Sequence, residues 1–257
     1  MPTASAWKFS QLEFFIAWQA VGRDRMPFPI EFHSAAETRS DLERESAGPR
    51  SALVERVSAD EGIFRALQAL AQPRVRLEAF GFRRDGRDRM VRMHAGIDDS
   101  AAGVLVQEPG PGADPDAAGD IRLYLHSPTS AIKRVVSLLP DVPPGTAHGV
   151  SINRLDLAPS ETWSPADPNS ARTQAIRFLR QPFRTYIEFK VDLGAALDGW
   201  QEGGEYLQVV DFTDQGRYLL TLADRVEATP LTAEKLQASL QRLADRALER
   251  DRHSAWR

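Results

Sequence analysis

Cysteine is absent from this chain of 257 residues. The protein can therefore form no disulfide bond, and it has no thiolate to ligate zinc or to act as a nucleophile. Also missing is an uncharged apolar run of about 20 residues, which a membrane-spanning helix would need. There are 36 acidic and 32 basic residues, so the chain lacks the basic excess of a nucleic-acid-binding protein. These absences favour a soluble, cytoplasmic protein that binds no nucleic acid and has no membrane span.

Enzyme motifs are missing as well. The sequence contains no G-x-S-x-G nucleophile elbow, no G-x-x-x-x-G-K-[ST] phosphate loop and no H-E-x-x-H metal motif. His94 and His126 fall on predicted strands, where they could meet Asp98 and form the site of an unrecognised hydrolase. The competing interpretation, ordinary strand histidines beside a turn, fits the pattern better. We therefore predict no catalytic residue, no metal site and no cofactor.

Two helices are signalled in the first quarter of the chain. Ser10 and Glu13 form a capping box, which predicts a helix that ends near Gly22. A second capping pattern, at residues 58–61, predicts another helix. One face of this second helix carries three apolar residues with core spacing: Ile63, Leu67 and Leu70.

The chain between these two helices gives weaker signals. Two prolines, two residues apart, predict an extended edge segment over residues 25–33. Residues 35–45 are rich in charge and predict a short exposed helix, which Gly48 and Pro49 should break.

Alternating apolar residues predict two groups of four strands. The first group comprises Arg74–Arg83, Met90–Ile97, Val104–Gln107 and Ile121–Leu125. The second group comprises Arg184–Leu193, Tyr206–Phe212, Arg217–Ala223 and Val226–Thr229. An amphipathic helix follows each group, at about residues 132–139 and 236–247.

The two halves also share sequence. Residues 66–73 (ALQALAQP) align with residues 175–182 (AIRFLRQP), and strands followed by a helix come next in both halves. Coincidence is the alternative, because few identities support the alignment. We predict a single α+β domain with a central antiparallel β-sheet flanked by helices, built from pseudo-two-fold duplicated helix–sheet–helix units. The predicted domain covers residues 1–257, with an N-terminal helix and extended segment at 1–57 and repeat halves at about 58–140 and 169–248.

A predicted hairpin in the first half carries a basic patch. Asp85-Gly86 is typical of its turn, and the flanking arginines suit contact with a partner because guanidinium groups make bidentate and stacking contacts. The candidate contact residues of this hairpin are Arg84, Arg87 and Arg89. A solvated hairpin tip without a binding role is the alternative.

A predicted hairpin in the second half is the most distinctive string of the sequence. It reads DFTDQGRY at residues 211–218, with Asp214 and Gly216 suited to the turn. Phe212 and Tyr218 are spaced to pack together across the strands. Hairpin chemistry accounts for these residues without a further function.

This second hairpin resembles the EspG family, the ESX (type VII) secretion-associated proteins of mycobacteria and related actinobacteria. The specific string is D-x-x-x-x-G-R-Y at residues 211–218. The resemblance extends to the aromatic first helix followed by Pro27-Phe28-Pro29-Ile30, and to the helix at 132–139, which ends in Leu-Leu-Pro-Asp-Val-Pro-Pro. The sequence departs from the family in its Pro- and Gly-rich loop at 108–120 and at Gly48-Pro49.

The resemblance implies a cytosolic chaperone without enzymatic activity. Such a protein binds the helical tip of the PPE subunit of a secreted PE–PPE heterodimer and directs the pair to an ESX system. The family also implies a partner groove between the central sheet and the C-terminal helices, beside a hairpin of the first half. The alternative is another non-enzymatic protein-binding module, and weak self-association is left open.

We predict partner contacts at three arginines and six apolar or aromatic residues. They are Arg84, Arg87, Arg89, Tyr206, Val209, Phe212, Tyr218, Leu236 and Leu240. An apolar patch with a polar rim is the usual composition of such an interface. For Leu236 and Leu240, a plain core position is the alternative.

Overall fold

The computed structural model describes residues 5–157, 167–196 and 203–254. These residues form one antiparallel sheet of ten strands and six α-helices. The strands are β1 (Ser5–Phe9), β2 (Val75–Arg83), β3 (Arg89–Ile97), β4 (Ala102–Pro109), β5 (Ala118–His126), β6 (Ser151–Asn153), β7 (Phe183–Leu193), β8 (Glu205–Phe212), β9 (Gly216–Leu222) and β10 (Arg225–Pro230). The helices are α1 (Gln11–Ala20), α2 (Arg39–Ala59), α3 (Glu61–Ala71), α4 (Ala131–Ser137), α5 (Ala171–Leu179) and α6 (Ala233–Ser254). The predicted α+β class with a central antiparallel sheet is confirmed.

The strand order places the two predicted halves side by side. It runs β1-β5-β4-β3-β2-β7-β8-β9-β10-β6, so β2 and β7 pair at the centre. The element order α3-β2-β3-β4-β5-α4 of the first half recurs as α5-β7-β8-β9-β10-α6 in the second. This shared order supports a duplication, while the duplication itself stays a prediction.

Helices cover both faces of the sheet. The α4/α6 face presents apolar strand residues such as Leu77 and Phe189 to α6, where Leu236 and Leu240 complete one core cluster. The opposite face, the α3/α5 face, packs against α1, α2 and α3 in the first half and against α5 in the second. Burial of these apolar side chains is worth roughly 25 cal/mol per Å² and is the main stabilising term.

Local helix signals are confirmed at α1 and partly wrong at α2 and α3. Ser10 caps α1 with both capping-box hydrogen bonds in place. The second box is wrong, because Asp60 is the N-cap of α3 and accepts from the Gly62 amide at 3.0 Å. The predicted break at Gly48-Pro49 is also wrong, since α2 continues through Pro49. Packing of Leu53 into the core offsets the backbone hydrogen bond that proline removes.

The segment over residues 25–33 lies across a sheet face and not along a sheet edge. Its backbone bonds to buried side chains of the sheet: His94 Nδ1 donates to the Phe28 carbonyl oxygen at 2.8 Å. Gln107 likewise exchanges two hydrogen bonds with the backbone of Glu31, at 2.9 and 2.7 Å. The edge next to β5 is instead β1, a strand that sequence periodicity did not indicate.

Candidate partner-binding site

A groove remains open on the α4/α6 face, beside the chain that follows the seven-residue helix α4. We call it the sheet groove, and its volume is about 230 Å³. Its floor is built by strand residues on one face: Val91, Met93, Val106, Tyr124 and Ile187. Its wall is the chain that follows α4: Leu138, Leu139 and Pro140. The site is therefore apolar in its interior and lies beside the base of the β2–β3 hairpin.

Strand alternation explains the floor. Val91 on β3 lies opposite Gly81 on β2, and Gly81 lies opposite Ile187 on β7, so all three share one face. A Cβ atom at Gly81 would lie 2.0 Å from the Tyr186 carbonyl oxygen, so only glycine fits there. Since Gly81 has no side chain, the floor stays low between Val91 and Ile187.

Arginines form the rim of the sheet groove. Arg83 Nε and Arg89 Nη2 each bond to Asp85 at 2.8 Å, and Arg122 Nε bonds to Glu108 Oε1 at 2.5 Å. The Glu108 hydrogen bond raises the pKa of Arg122. Ion pairs this exposed stabilise the fold by about 1 kcal/mol or less. The rim arginines can therefore leave these carboxylates for other hydrogen-bond acceptors at a low cost in free energy. Of the predicted contact residues, Arg89 is therefore at the groove.

The two other predicted arginines lie on the hairpin beside the groove. Arg84 is exposed, and its guanidinium carbon lies 4.5 Å from the centre of the Phe183 ring. Arg87 is exposed and donates to the carbonyl oxygens of Gly110 and Gly112, both at 2.7 Å. Arg87 thus ties the β2–β3 hairpin to the loop after β4. The turn has the predicted chemistry, with Gly86 at φ +94°.

The predicted apolar contacts are not gathered at the groove. Tyr206 is 41 % exposed but lies on the α3/α5 face. The others are at most 4 % exposed: Val209, Phe212, Tyr218, Leu236 and Leu240. The core position given as the alternative for Leu236 and Leu240 matches where they lie. Partner contact by these residues stays a prediction, which the burial of five of them does not support.

His94, His126 and Asp98 do not come together in one site. His94 shares a face with Leu105, whereas His126 lies opposite Ala102 on the other face of the sheet. Burial lowers the pKa of His94 to about 4, and it lowers the pKa of His126 as well. Asp98 is occupied in a turn, where its carboxylate accepts from the Ala101 amide at 2.7 Å. These three residues therefore cannot act on one substrate in this arrangement.

Within residues 5–157, 167–196 and 203–254, no three histidine or acidic side chains converge so as to hold a metal ion. In the same described part of the chain, no helix combines the length and the apolar character needed to cross a membrane.

Sequence reasoning missed most of the groove itself. The apolar pattern of the predicted helix at 132–139 placed Leu139 in the core, while Leu138 lies off that pattern. The signal that could have found the wall is the pair Leu138-Leu139 directly before Pro140, where the helix must end. Floor residues such as Val91 and Val106 come from different strands, so only the strand order brings them together.

Comparison with known protein families places most of the chain in one of them. A family model described as the EspG family matches residues 10–242. No curated protein matches the sequence. The matched range runs from the N-cap of α1 into α6, and it contains the sheet groove and the hairpin at 211–218.

Proposed function

Because the chain belongs to the EspG family and is thus an ESX secretion-associated chaperone, we propose that it binds the helical tip of a PE–PPE-type client in the sheet groove. The chaperone then directs this client to an ESX (type VII) secretion system. The observation that supports the proposal is an open apolar floor with an arginine rim, next to an exposed arginine hairpin. Interfaces of this kind bury an apolar centre and leave the polar rim in water.

The groove suits shielding of an apolar helix tip. Val91, Val106 and Leu139 are only half-buried in the unbound chain, so their remaining apolar surface is available to a client. A client side chain of leucine size gains about 1.5–3 kcal/mol when such a site removes it from water. Covering a client tip in this way prevents self-association of the client before secretion.

We also propose that the protein acts without catalysis and in the cytoplasm. Support for the first point is that His94 and His126 lie on opposite sheet faces, while Asp98 caps a turn. Support for the second is the role itself, since a secretion chaperone must meet its client before export.

The test combines the chain with PE–PPE pairs from its own genome. We expect a 1:1:1 complex with at least one pair in size-exclusion chromatography, and a Kd from calorimetry. Val106→Glu places a charge on the groove floor and should weaken binding at least about tenfold, or about 1.4 kcal/mol. The matched control is Val54→Glu on α2, because Val54 is 62 % exposed and lies away from the groove.

The binding experiments distinguish an incorrect client from an incorrect binding site. Absence of a complex with every PE–PPE pair refutes the client. A complex whose Kd is unchanged by Val106→Glu keeps the client and refutes the sheet groove as its site. Thermal melting of both variants checks that each one is folded.

A further inference from the structure

The chain after α4 is held along β9 by its backbone. We call residues 140–147 the strap. Arg217 donates its backbone amide to the Pro143 carbonyl oxygen at 2.8 Å and accepts from the Gly145 amide at 2.9 Å. The Thr146 amide donates to the Gln215 carbonyl oxygen at 3.0 Å. The strap thus joins the first half of the protein to a strand of the second half.

The Arg217 side chain fixes the first residue of the strap. Its Nε and Nη2 donate to the two carboxylate oxygens of Asp211 at 2.7 and 2.9 Å. Nη2 also donates to the Pro140 carbonyl oxygen at 2.9 Å. Arg217 and Asp211 are only 3 % and 1 % exposed. A planar guanidinium can make these contacts together, whereas a lysine ammonium cannot match the same fork.

The Tyr218 side chain fixes the other end of the strap. Its hydroxyl accepts from the Ala147 amide and donates to the Ala147 carbonyl oxygen, both at 3.1 Å. The ring packs on Gly145 so closely that a Cβ atom there would lie 2.0 Å from the ring carbon Cζ. Both ends of the strap are therefore held by adjacent residues of the D-x-x-x-x-G-R-Y string.

The strap begins where the groove wall ends. Pro140 belongs to both, and Leu138 and Leu139 precede it directly. We propose that Arg217 and Tyr218 are positioning residues for client binding: they hold the wall of the sheet groove in its open, preformed shape. They do this through Pro140 and the strap, because both side chains are buried and do not line the groove. This inference rests on the proposed function.

The expected effect on client affinity follows from the preorganisation of the groove wall. Ordering backbone residues on binding costs conformational entropy, and a wall that is already ordered avoids this cost. If the two side-chain contacts are lost, the client must order the wall itself. A loss of affinity of about tenfold or more is expected for each contact removed.

The experiment uses the PE–PPE pair that binds the unmodified chain. Arg217→Lys keeps a positive charge beside Asp211 and removes the fork, while Tyr218→Phe keeps the ring and removes both bonds to Ala147. Each variant should bind the pair about tenfold more weakly at a temperature well below its Tm. The matched control is Arg225→Lys on β10, an exposed arginine whose side chain bonds to Ser151 at 2.8 Å.

Hydrogen exchange separates positioning from general stability. In both variants the backbone amides of the non-proline residues within 138–147 should exchange faster, while those of α3 stay as slow as in the unmodified chain. Faster exchange throughout the protein would assign the two residues to stability only and overturn the proposal. Unchanged client affinity in both variants would overturn it as well.

The absence of a positioning role and the absence of client binding give different results in these experiments. If Val106→Glu weakens binding but Arg217→Lys and Tyr218→Phe do not, only the positioning role falls. If the unmodified chain binds no PE–PPE pair, the client and the positioning role fall together.

Discussion

Acidification should destabilise the fold through the buried His94. The pKa of His94 is lowered from 6.5 to about 4, chiefly by burial; the hydrogen bond to Phe28 acts against this lowering, and the charge of Arg76 makes a smaller contribution in the same direction as burial. Between pH 6.5 and pH 4 the unfolded chain therefore binds a proton at this histidine that the folded chain does not bind. The contribution of neutral His94 to the free energy of unfolding is fully present above pH 6.5. It is lost progressively as the pH drops through this window.

The magnitude follows from the two pKa values. Their difference corresponds to a loss of about 3 kcal/mol in the free energy of unfolding once the pH is below both values. About 2 kcal/mol of this loss has occurred by pH 5. The perturbation is His94→Asn, because an asparagine amide can donate to the Phe28 carbonyl oxygen but does not titrate. Between pH 7.5 and pH 5 the free energy of unfolding should fall by about 2 kcal/mol more in the unmodified chain than in this variant.

Urea denaturation at the two pH values measures the difference. His33→Asn is the control, because it makes the same substitution at an exposed histidine outside the core. Equal losses for the unmodified chain and for His94→Asn would show that His94 is not the group whose burial sets the acid sensitivity.

Two further predictions concern glycine and proline. Gly145→Ala should lower the Tm, because the added Cβ would meet the Tyr218 ring and overpacking costs about 1–3 kcal/mol. Its control is Gly48→Ala within α2, where nothing lies within 4 Å and the change should raise stability by about 0.5–1 kcal/mol; a similar Tm for both variants would contradict the close packing of the strap. Pro49→Ala should raise the free energy of unfolding by up to about 3 kcal/mol in urea, and a decrease would contradict a regular helix at this position.

Local patterns predicted the elements that local chemistry determines. The capping box at Ser10 needs only residues three apart, and the spacing of Ile63, Leu67 and Leu70 needs only helical geometry. The Asp85-Gly86 turn likewise follows from two adjacent residues. Such signals do not depend on the rest of the fold, which is why they could be interpreted correctly.

The missed features depend on contacts between distant residues. The helix through Pro49 is retained because Leu53 is buried against a separate helix, and no local rule contains that contact. The hairpin pattern around Arg217 is local, whereas the hydrogen bond from its side chain to Pro140 spans 77 positions of the sequence. The floor of the sheet groove likewise requires the strand order, which periodicity does not give.

The two outermost strands of the sheet are its shortest. β1 has five residues and β6 has three, and Lys8 on β1 adds a charge. Short and charged outer strands are poor templates for the backbone of a neighbouring molecule, so copies of this protein are hindered from polymerising sheet to sheet. This chaperone can in this way keep an apolar groove open without pairing to further copies of itself along its sheet edges.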